Sequence, residues 1–575
     1  MAARLTSIIV TVIVAATIIA GIIAGAQRDD SAIDLIVLNG KVYTAAEDGR
    51  IEEAVAVRGN QIVRVGTNRE IKRLRRPQTR VVDAHGGSVL PGFNDARVHL
   101  ADGAQSSNEV NLYLTESVEH IQQTIRAFVT EKSRQPWIVG RGWTYEAFPG
   151  GMPTRQQLDA VVNDRPAYFV SRDGRTGWAN SKALKLAGIT RRTPAPVNGV
   201  IVTDPVTGEP TGALKNDARH LVERLLTPST QEDRLHALRT RLLEARQAGI
   251  TSIQSAGDDA ADLELYDELR QDGDLTVRVY GAVSVDHEPS AFELDELDRL
   301  RSQYPDDPLL KTGAIALSID GSVESQTASL LEPYAGGKLN GRPRYTADEL
   351  LRTIKALDER GWQIVMEAAG DAAVRLALDA YSGALSEPAA PDRDRRHRLA
   401  GIDTIDATDL ARVEDLGLMA QQAPTRAIRL SLSRDWPEYL GPDRARSGWP
   451  WHSLAERGVT IVFGSDSPAA PLDPLLGLHA AATRTSPDPD APILESAERM
   501  PVTFAIDAYT RDAAYASFDE LRKGVLAPGM LADMVVLSTD ILTLPPDQLL
   551  DGQVDVTIFD GKVVFERQTS PLSTN

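Results

Sequence analysis

The chain has 575 residues, 42% of them hydrophobic and 25% charged, with nine histidines and no cysteine. That length calls for a large domain with a satellite, or for several domains, and the ordinary apolar and charged fractions exclude a disordered, collagen-like or multi-span membrane chain. Asp and Glu number 81 against 62 Lys and Arg, a formal charge of −19, which argues against nucleic acid as a partner because phosphate binding needs a dense positive surface. Without cysteine there can be no disulfide, zinc finger or thiol nucleophile. A metal site would have to use scarce His with Asp, Glu or modified Lys.

After Arg4, residues 5–26 form an almost unbroken apolar run closed by Arg28, Asp29 and Asp30. The run is close to the ~20 residues that span hydrocarbon, and Ala24-Gly25-Ala26 has the small-x-small pattern of a cleavage site. Residues 1–28 are therefore expected to be a membrane anchor or a cleaved signal. Either would place the remainder outside the cytoplasm, since Arg4 and the terminal amine hold the short end inside.

Val/Ile-rich runs at 34–44, 54–65 and 79–90 read as strands, punctuated by Asn39-Gly40 and Gly59-Asn60, both hairpin signals. Runs at 532–537 and 554–566 read the same way, and Asp560-Gly561-Lys562-Val563 echoes Asn39-Gly40-Lys41-Val42. Two similar hairpins flanking a long middle predict one small β-domain built from both chain ends, residues 29–88 and 521–575.

Between these ends, strand-like runs at 138–143, 168–171, 250–254, 276–282, 314–319, 363–366, 417–421 and 460–463 alternate with helical stretches such as 230–248, 346–360 and 501–516. Thr346-Ala347-Asp348-Glu349 has the form of a capping box. The alternation predicts an α/β fold, a (β/α)8 TIM barrel over residues 89–520. A doubly wound sheet is the runner-up, but no Gly-x-Gly-x-x-Gly follows an early strand. The stretch at about 101–247 is too long for one βα unit and is expected to hold an insertion subdomain, while 386–398, with Pro388, Pro391 and many charges, is expected to be loop.

Barrel chemistry gathers where strands end, and several runs end in small polar clusters. These are Asn94-Asp95-Ala96-Arg97-Val98-His99, Arg172-Asp173-Gly174-Arg175, Gln254-Ser255-Ala256-Gly257, Asp320-Gly321-Ser322, Glu367-Ala368-Ala369-Gly370-Asp371 and Gly464-Ser465-Asp466-Ser467-Pro468. Two of these, Asp320-Gly321-Ser322 and Gly464-Ser465-Asp466-Ser467-Pro468, form an ordered series with Leu90-Pro91-Gly92-Phe93-Asn94-Asp95, Trp178-Ala179-Asn180-Ser181-Lys182-Ala183-Leu184, Thr327-Ala328-Ser329-Leu330-Leu331-Glu332-Pro333-Tyr334, Asp473-Pro474-Leu475 and Lys523-Gly524-Val525-Leu526-Ala527-Pro528-Gly529. In that series the chain resembles the amidohydrolase superfamily, family 3 branch, from about residue 34 to 566. The resemblance implies a metal-dependent TIM barrel with a β-sandwich made from both termini, and hydrolysis of non-peptide carbon–nitrogen bonds.

It also implies a metal centre, and there the sequence departs from the pattern. The family's His-x-His pair reads Arg97-Val98-His99, and an arginine has no lone pair to give a cation. Ala316 stands at the lysine position, Glu367 at a histidine position, and Ala400-Gly401 where the family has Glu-His. Gln254, Arg175 and Arg426 replace further site histidines, leaving only His99 and the aspartate Asp466. Arg97, Glu367 and Asp466 are expected to form a metal-free ion-pair network, because a buried carboxylate needs a cation. The alternative is one divalent ion, zinc, iron or manganese, held by His99, Glu367 and Asp466.

Asp466, His99 and Glu367 are thus the candidate catalytic residues. Arg97, Arg175 and Arg426 are candidate binding residues for an anionic small molecule. Trp143, beside Trp137 and Tyr145 around a Gly-rich turn, is a candidate substrate wall or a core residue, and Asp320 a candidate pocket residue or a cap. Three functions stay open: a hydrolase, a non-catalytic binding protein that can be oligomeric, and a metal-free enzyme using His99 with Asp466 or Glu367.

Overall fold

The computed structural model describes residues 32–101, 109–113, 115, 117–132, 135–227, 229–386, 393–431, 435–485 and 496–568. The expected anchor or signal at 1–28 lies outside the described residues. Among the described residues no helix is long and apolar enough to cross a membrane.

Eight strands pair in parallel and in chain order: β1 (Phe93–Val98), β2 (Ile250–Asp258), β3 (Arg278–Ser284), β4 (Leu310–Ser318), β5 (Gln363–Ala368), β6 (Arg398–Gly401), β7 (Met419–Gln422) and β8 (Ile461–Phe463). Helices lie between successive strands, as in Ala260–Asp272 after β2 and Ala347–Glu359 before β5, the latter opened by the Thr346/Glu349 capping box. The last strand meets the first just past their ends. Val98 bridges Ser467 in parallel, Asp466 N donates to Arg97 O at 2.9 Å, and His99 N donates to Ser467 O at 2.9 Å. Gly464 permits that approach, since a Cβ there would stand 2.4 Å from Arg97 N and 2.8 Å from Asp95 Oδ1.

β6 corrects the expectation of a loop through Arg398. Its four residues start from a basic segment and carry too little pattern to announce a strand, yet Met366 pairs Leu399 and Leu399 pairs Ala420.

Both chain ends build the small β-domain. Gln61–Gly66, Ala54–Arg58, Leu35–Leu38 and Arg80–Asp83 form one sheet. The second combines Lys562–Glu566, Val554–Phe559 and Met534–Leu537 with Ser88–Pro91, Lys41–Tyr43 and Ile51–Glu52, so this domain extends to Pro91 rather than residue 88. Leu35, Val37, Val89, Met534 and Val536 share one core between the two sheets. The two echoed turns differ. Asp560-Gly561 closes an antiparallel hairpin, whereas Asn39-Gly40 carries the chain from one sheet to the other.

The strands expected at 138–143 and 168–171 belong to a separate insertion sheet rather than to the barrel. That sheet runs Gly199–Thr203, Pro210–Asn216, Thr176–Ala179, Ala167–Ser171, Ile138–Trp143 and Val110–Asn111. Helix Gln231–Gln247, by contrast, packs on β2 and on Val554–Phe559, so the insertion ends before it.

Candidate active site

The carboxyl ends of the barrel strands and one face of the insertion sheet enclose a cavity of about 960 Å³. Arg97, His99, Arg175, Glu367, Arg426 and Asp466 all line it. Arg97 projects from β1, Glu367 from the end of β5, and Asp466 from the turn after β8. Asp466 has φ +57°, a left-handed conformation that Asp tolerates better than most residues. Arg175 descends from the insertion turn between Ala167–Ser171 and Thr176–Ala179, and Arg426 comes from helix Pro424–Ser431 after β7.

These side chains form one continuous ion-pair network. Arg97 Nε donates to Asp466 Oδ1 at 2.8 Å, and its Nη2 lies 2.9 Å from Glu367 Oε1. The other Glu367 oxygen accepts Arg175 Nη2 at 2.9 Å, and the same nitrogen donates to Ser318 Oγ at 3.1 Å. Arg426 Nη1 donates to Asp403 Oδ1 at 2.8 Å, while its Nε stands 3.4 Å from Asp466 Oδ2. His99 Nε2 lies 3.6 Å from Asp466 Oδ1, with its side chain 28% exposed to the cavity.

Burial alone would push both carboxyl groups up, yet the guanidinium charges outweigh it. Arg97 and Arg175 hold Glu367 down at about 2. Arg97, with help from His99 and Arg426, holds Asp466 well below the usual carboxylate range. Burial works against the charge of Arg97 and Arg426 too, but their carboxylate partners raise both above the ordinary arginine value.

Asp403 was not legible from sequence. It is fully buried, two residues past the end of β6, and holds Arg426 with help from Trp449 Nε1 at 3.0 Å. Glu324, in the loop after β4, is also buried, and burial pushes its carboxyl up to about 8 despite the Arg426 charge.

Three sequence expectations fall outside the cavity wall. Trp143 is fully buried in an aromatic core with Tyr145, Phe148 and Trp178, its Nε1 donating to Phe169 O at 3.2 Å. A register shift between Arg141 and Trp143, at Gly142 with φ +107°, turns that ring inward, and Trp137 lines the cavity instead. Asp320 is 2% exposed and accepts the backbone N–H groups of Ser329, Ala369 and Gly370 at 2.8, 2.9 and 2.9 Å. It ties the loop after β4 to the end of β5 and does not line the pocket. Gln254 sits midway along β2, below the mouth, where Arg398 donates to its Oε1. Ala316, at the lysine position, does line the cavity.

A closed eight-stranded parallel barrel, a two-ended β-sandwich and a polar cluster at the carboxyl face together define an amidohydrolase-type protein. The comparisons agree: the sequence profile of the amidohydrolase family matches residues 80–565, and the chain belongs to that family. It is 29% identical to YtcJ of Bacillus subtilis (strain 168) over 92% of this chain and 98% of that protein. It is 27% identical to an N-substituted formamide deformylase of Arthrobacter pascens, covering 93% and 99% of the two chains. An uncharacterised metal-dependent hydrolase of Pyrococcus horikoshii OT3 superposes with a TM-score of 0.68 at 24% identity, covering 89% of this chain and 99% of that one.

Proposed function

We propose that this amidohydrolase-family chain binds a small polar molecule at the barrel mouth without metal-activated water. The observation that carries this is the Arg97 guanidinium, 2.8 Å from Asp466 and 2.9 Å from Glu367. A divalent ion does not fit this donor set. Both Glu367 oxygens and both Asp466 oxygens face guanidinium nitrogens. A cation placed among them would lose those lone pairs and meet three fixed positive charges. A relative named for deformylating N-substituted formamides supports a small organic molecule as ligand.

The His99–Asp466 separation of 3.6 Å favours one second reading, metal-free hydrolysis with His99 as proton carrier. Metal analysis of the purified full chain, with an amide and ester hydrolysis screen, tests both. Metal-free protein without turnover is the expected result. Turnover that survives chelation and is lost in His99→Gln would select the second reading, and stoichiometric metal with chelator-sensitive turnover would overturn both.

A further inference from the structure

Among the described residues, six arginines line the cavity. Five face a carboxylate: Arg97 and Arg175 at 2.9 Å from Glu367, Arg141 at 3.3 Å from Glu109, Arg219 at 3.5 Å from Glu223, and Arg426 at 2.8 Å from Asp403. Arg172 differs from them. It is 9% exposed, makes no ion pair among the described residues, and leaves Nε and Nη1 without a hydrogen-bond partner. Its Nη2 donates to the Tyr113 carbonyl, and the guanidinium lies 5.8 Å from the Tyr113 ring. A neutral carbonyl and a ring face compensate a desolvated cation poorly. Among the described residues, this positive charge on the cavity wall has no counter-charge.

The wall beside it is graded. Arg172 directly follows strand Ala167–Ser171, which pairs in parallel with Ile138–Trp143. Alternation along these strands puts Ile138 and Phe169 in the insertion core and leaves Val139 and Val170 partly buried on the cavity face, next to Trp137. Both strands run from this apolar end toward the mouth, where Arg172 and then Arg175 follow.

We infer that Arg172 is an anion subsite and that the cavity takes an amphipathic monocarboxylate, carboxylate on Arg172 and apolar part along Trp137, Val139 and Val170. One uncompensated cation matches one negative charge. The inference rests on the reading of the mouth as a metal-free ligand site.

Calorimetry of the full chain with butyrate, hexanoate and octanoate, their primary amides, and inorganic phosphate tests it. The carboxylates should bind roughly tenfold tighter for each two methylenes added, at ~0.8 kcal/mol per buried CH₂. The amides should bind at least ~10-fold more weakly than the matching acids, the loss of one charge-assisted contact. Arg172→Gln should erase that acid-over-amide preference while melting no lower than the wild type without ligand, and Arg172→Lys should keep part of it. Equal binding of acids and amides, or a preference that survives Arg172→Gln, would overturn the assignment. Phosphate binding as tightly as octanoate would replace the amphipathic ligand with a free inorganic anion. Metal content separates this failure from that of the underlying reading: absent carboxylate binding in metal-free protein counts against Arg172 alone, and stoichiometric metal counts against the mouth reading.

Discussion

Two buried arginine clusters share the interior of this barrel and satisfy their charge in different ways. In the lower one Arg398, 2% exposed, donates to Gln254 Oε1 and the Ala516 carbonyl, to Gln363 Oε1 at 3.1 Å and to Gln421 Oε1 at 3.4 Å. Each of these acceptors is neutral, and burial brings the guanidinium down to about 10. The cluster closes around a void of about 10 Å³. In the upper one Arg97, Arg175 and Arg426 face Glu367, Asp466 and Asp403 beneath an open cavity of about 960 Å³. Neutral amides can hold strands together but present no field to a ligand. Paired full charges beside open space do. The lower layer therefore serves stability alone, and the upper one serves both stability and binding.

Arg97→Ala is the largest test of that division. It leaves two buried carboxylates short of their common cation, and losing one partner of a buried pair costs about 3–5 kcal/mol. Urea unfolding should show that loss. A change under ~1 kcal/mol, the size of an exposed ion pair, would mean the mouth is solvated and the charges are not truly paired. The same network predicts an acid limb. Glu367 is held at about 2 and Asp466 lower still, against ordinary carboxylate values of roughly 4. Their contribution is complete above about pH 5 and is lost as pH falls from there through the folded values, on the order of 3 kcal/mol for a shift like that of Glu367. In Arg97→Ala that limb should flatten. An unchanged acid limb would assign acid sensitivity to other carboxylates.

Arg398→Met comes next. It strands several neutral acceptors at ~1–3 kcal/mol each, but it also removes a desolvated charge, so a net loss of about 2–3 kcal/mol is expected. Ligand affinity of the folded protein should not change. A weakened affinity would show that the lower cluster shapes the mouth, and the two layers would then act as one unit.

Much of this architecture was legible because its signals are periodic or ordered. Six of the eight alternating runs became barrel strands and two became strands of the insertion sheet, while the matching strand groups at the two ends became one sandwich. What escaped has local physical causes. β6 spans four residues after a basic segment, so Asp403 just beyond it had no strand end to mark it. β2 was read as ending at Gln254, but it runs to Asp258, which moves the glutamine from the rim to the interior. One register shift at Gly142 reversed the facing of Trp143, because a slip of one residue exchanges the two sides of a strand. Asp320 stood in a recognisable motif, yet no sequence pattern shows that three backbone amides claim its carboxylate. Arg97, Glu367 and Asp466 were legible together because each stands in a polar cluster at the carboxyl end of a strand, at a position the family resemblance marks.

His99→Gln is the smallest and most discriminating change. The side chain is 28% exposed, and its contact with Asp466 is 3.6 Å, longer than a hydrogen bond. Asp466 keeps Arg97 at 2.8 Å whether or not the imidazole is present. At that distance His99 adds little beside Arg97, so stability should move by no more than ~0.5 kcal/mol, and the acid limb should persist on Arg97 and Arg426, shortened only by the share His99 adds. If binding or turnover falls in this variant while the urea midpoint holds, His99 serves the ligand and the arginine network serves the fold around it. A loss of about 2 kcal/mol or more would instead place His99 within the structural network. The mouth would then be as structural as the layer around Arg398, and the ligand would rest on the insertion wall at Arg172 alone.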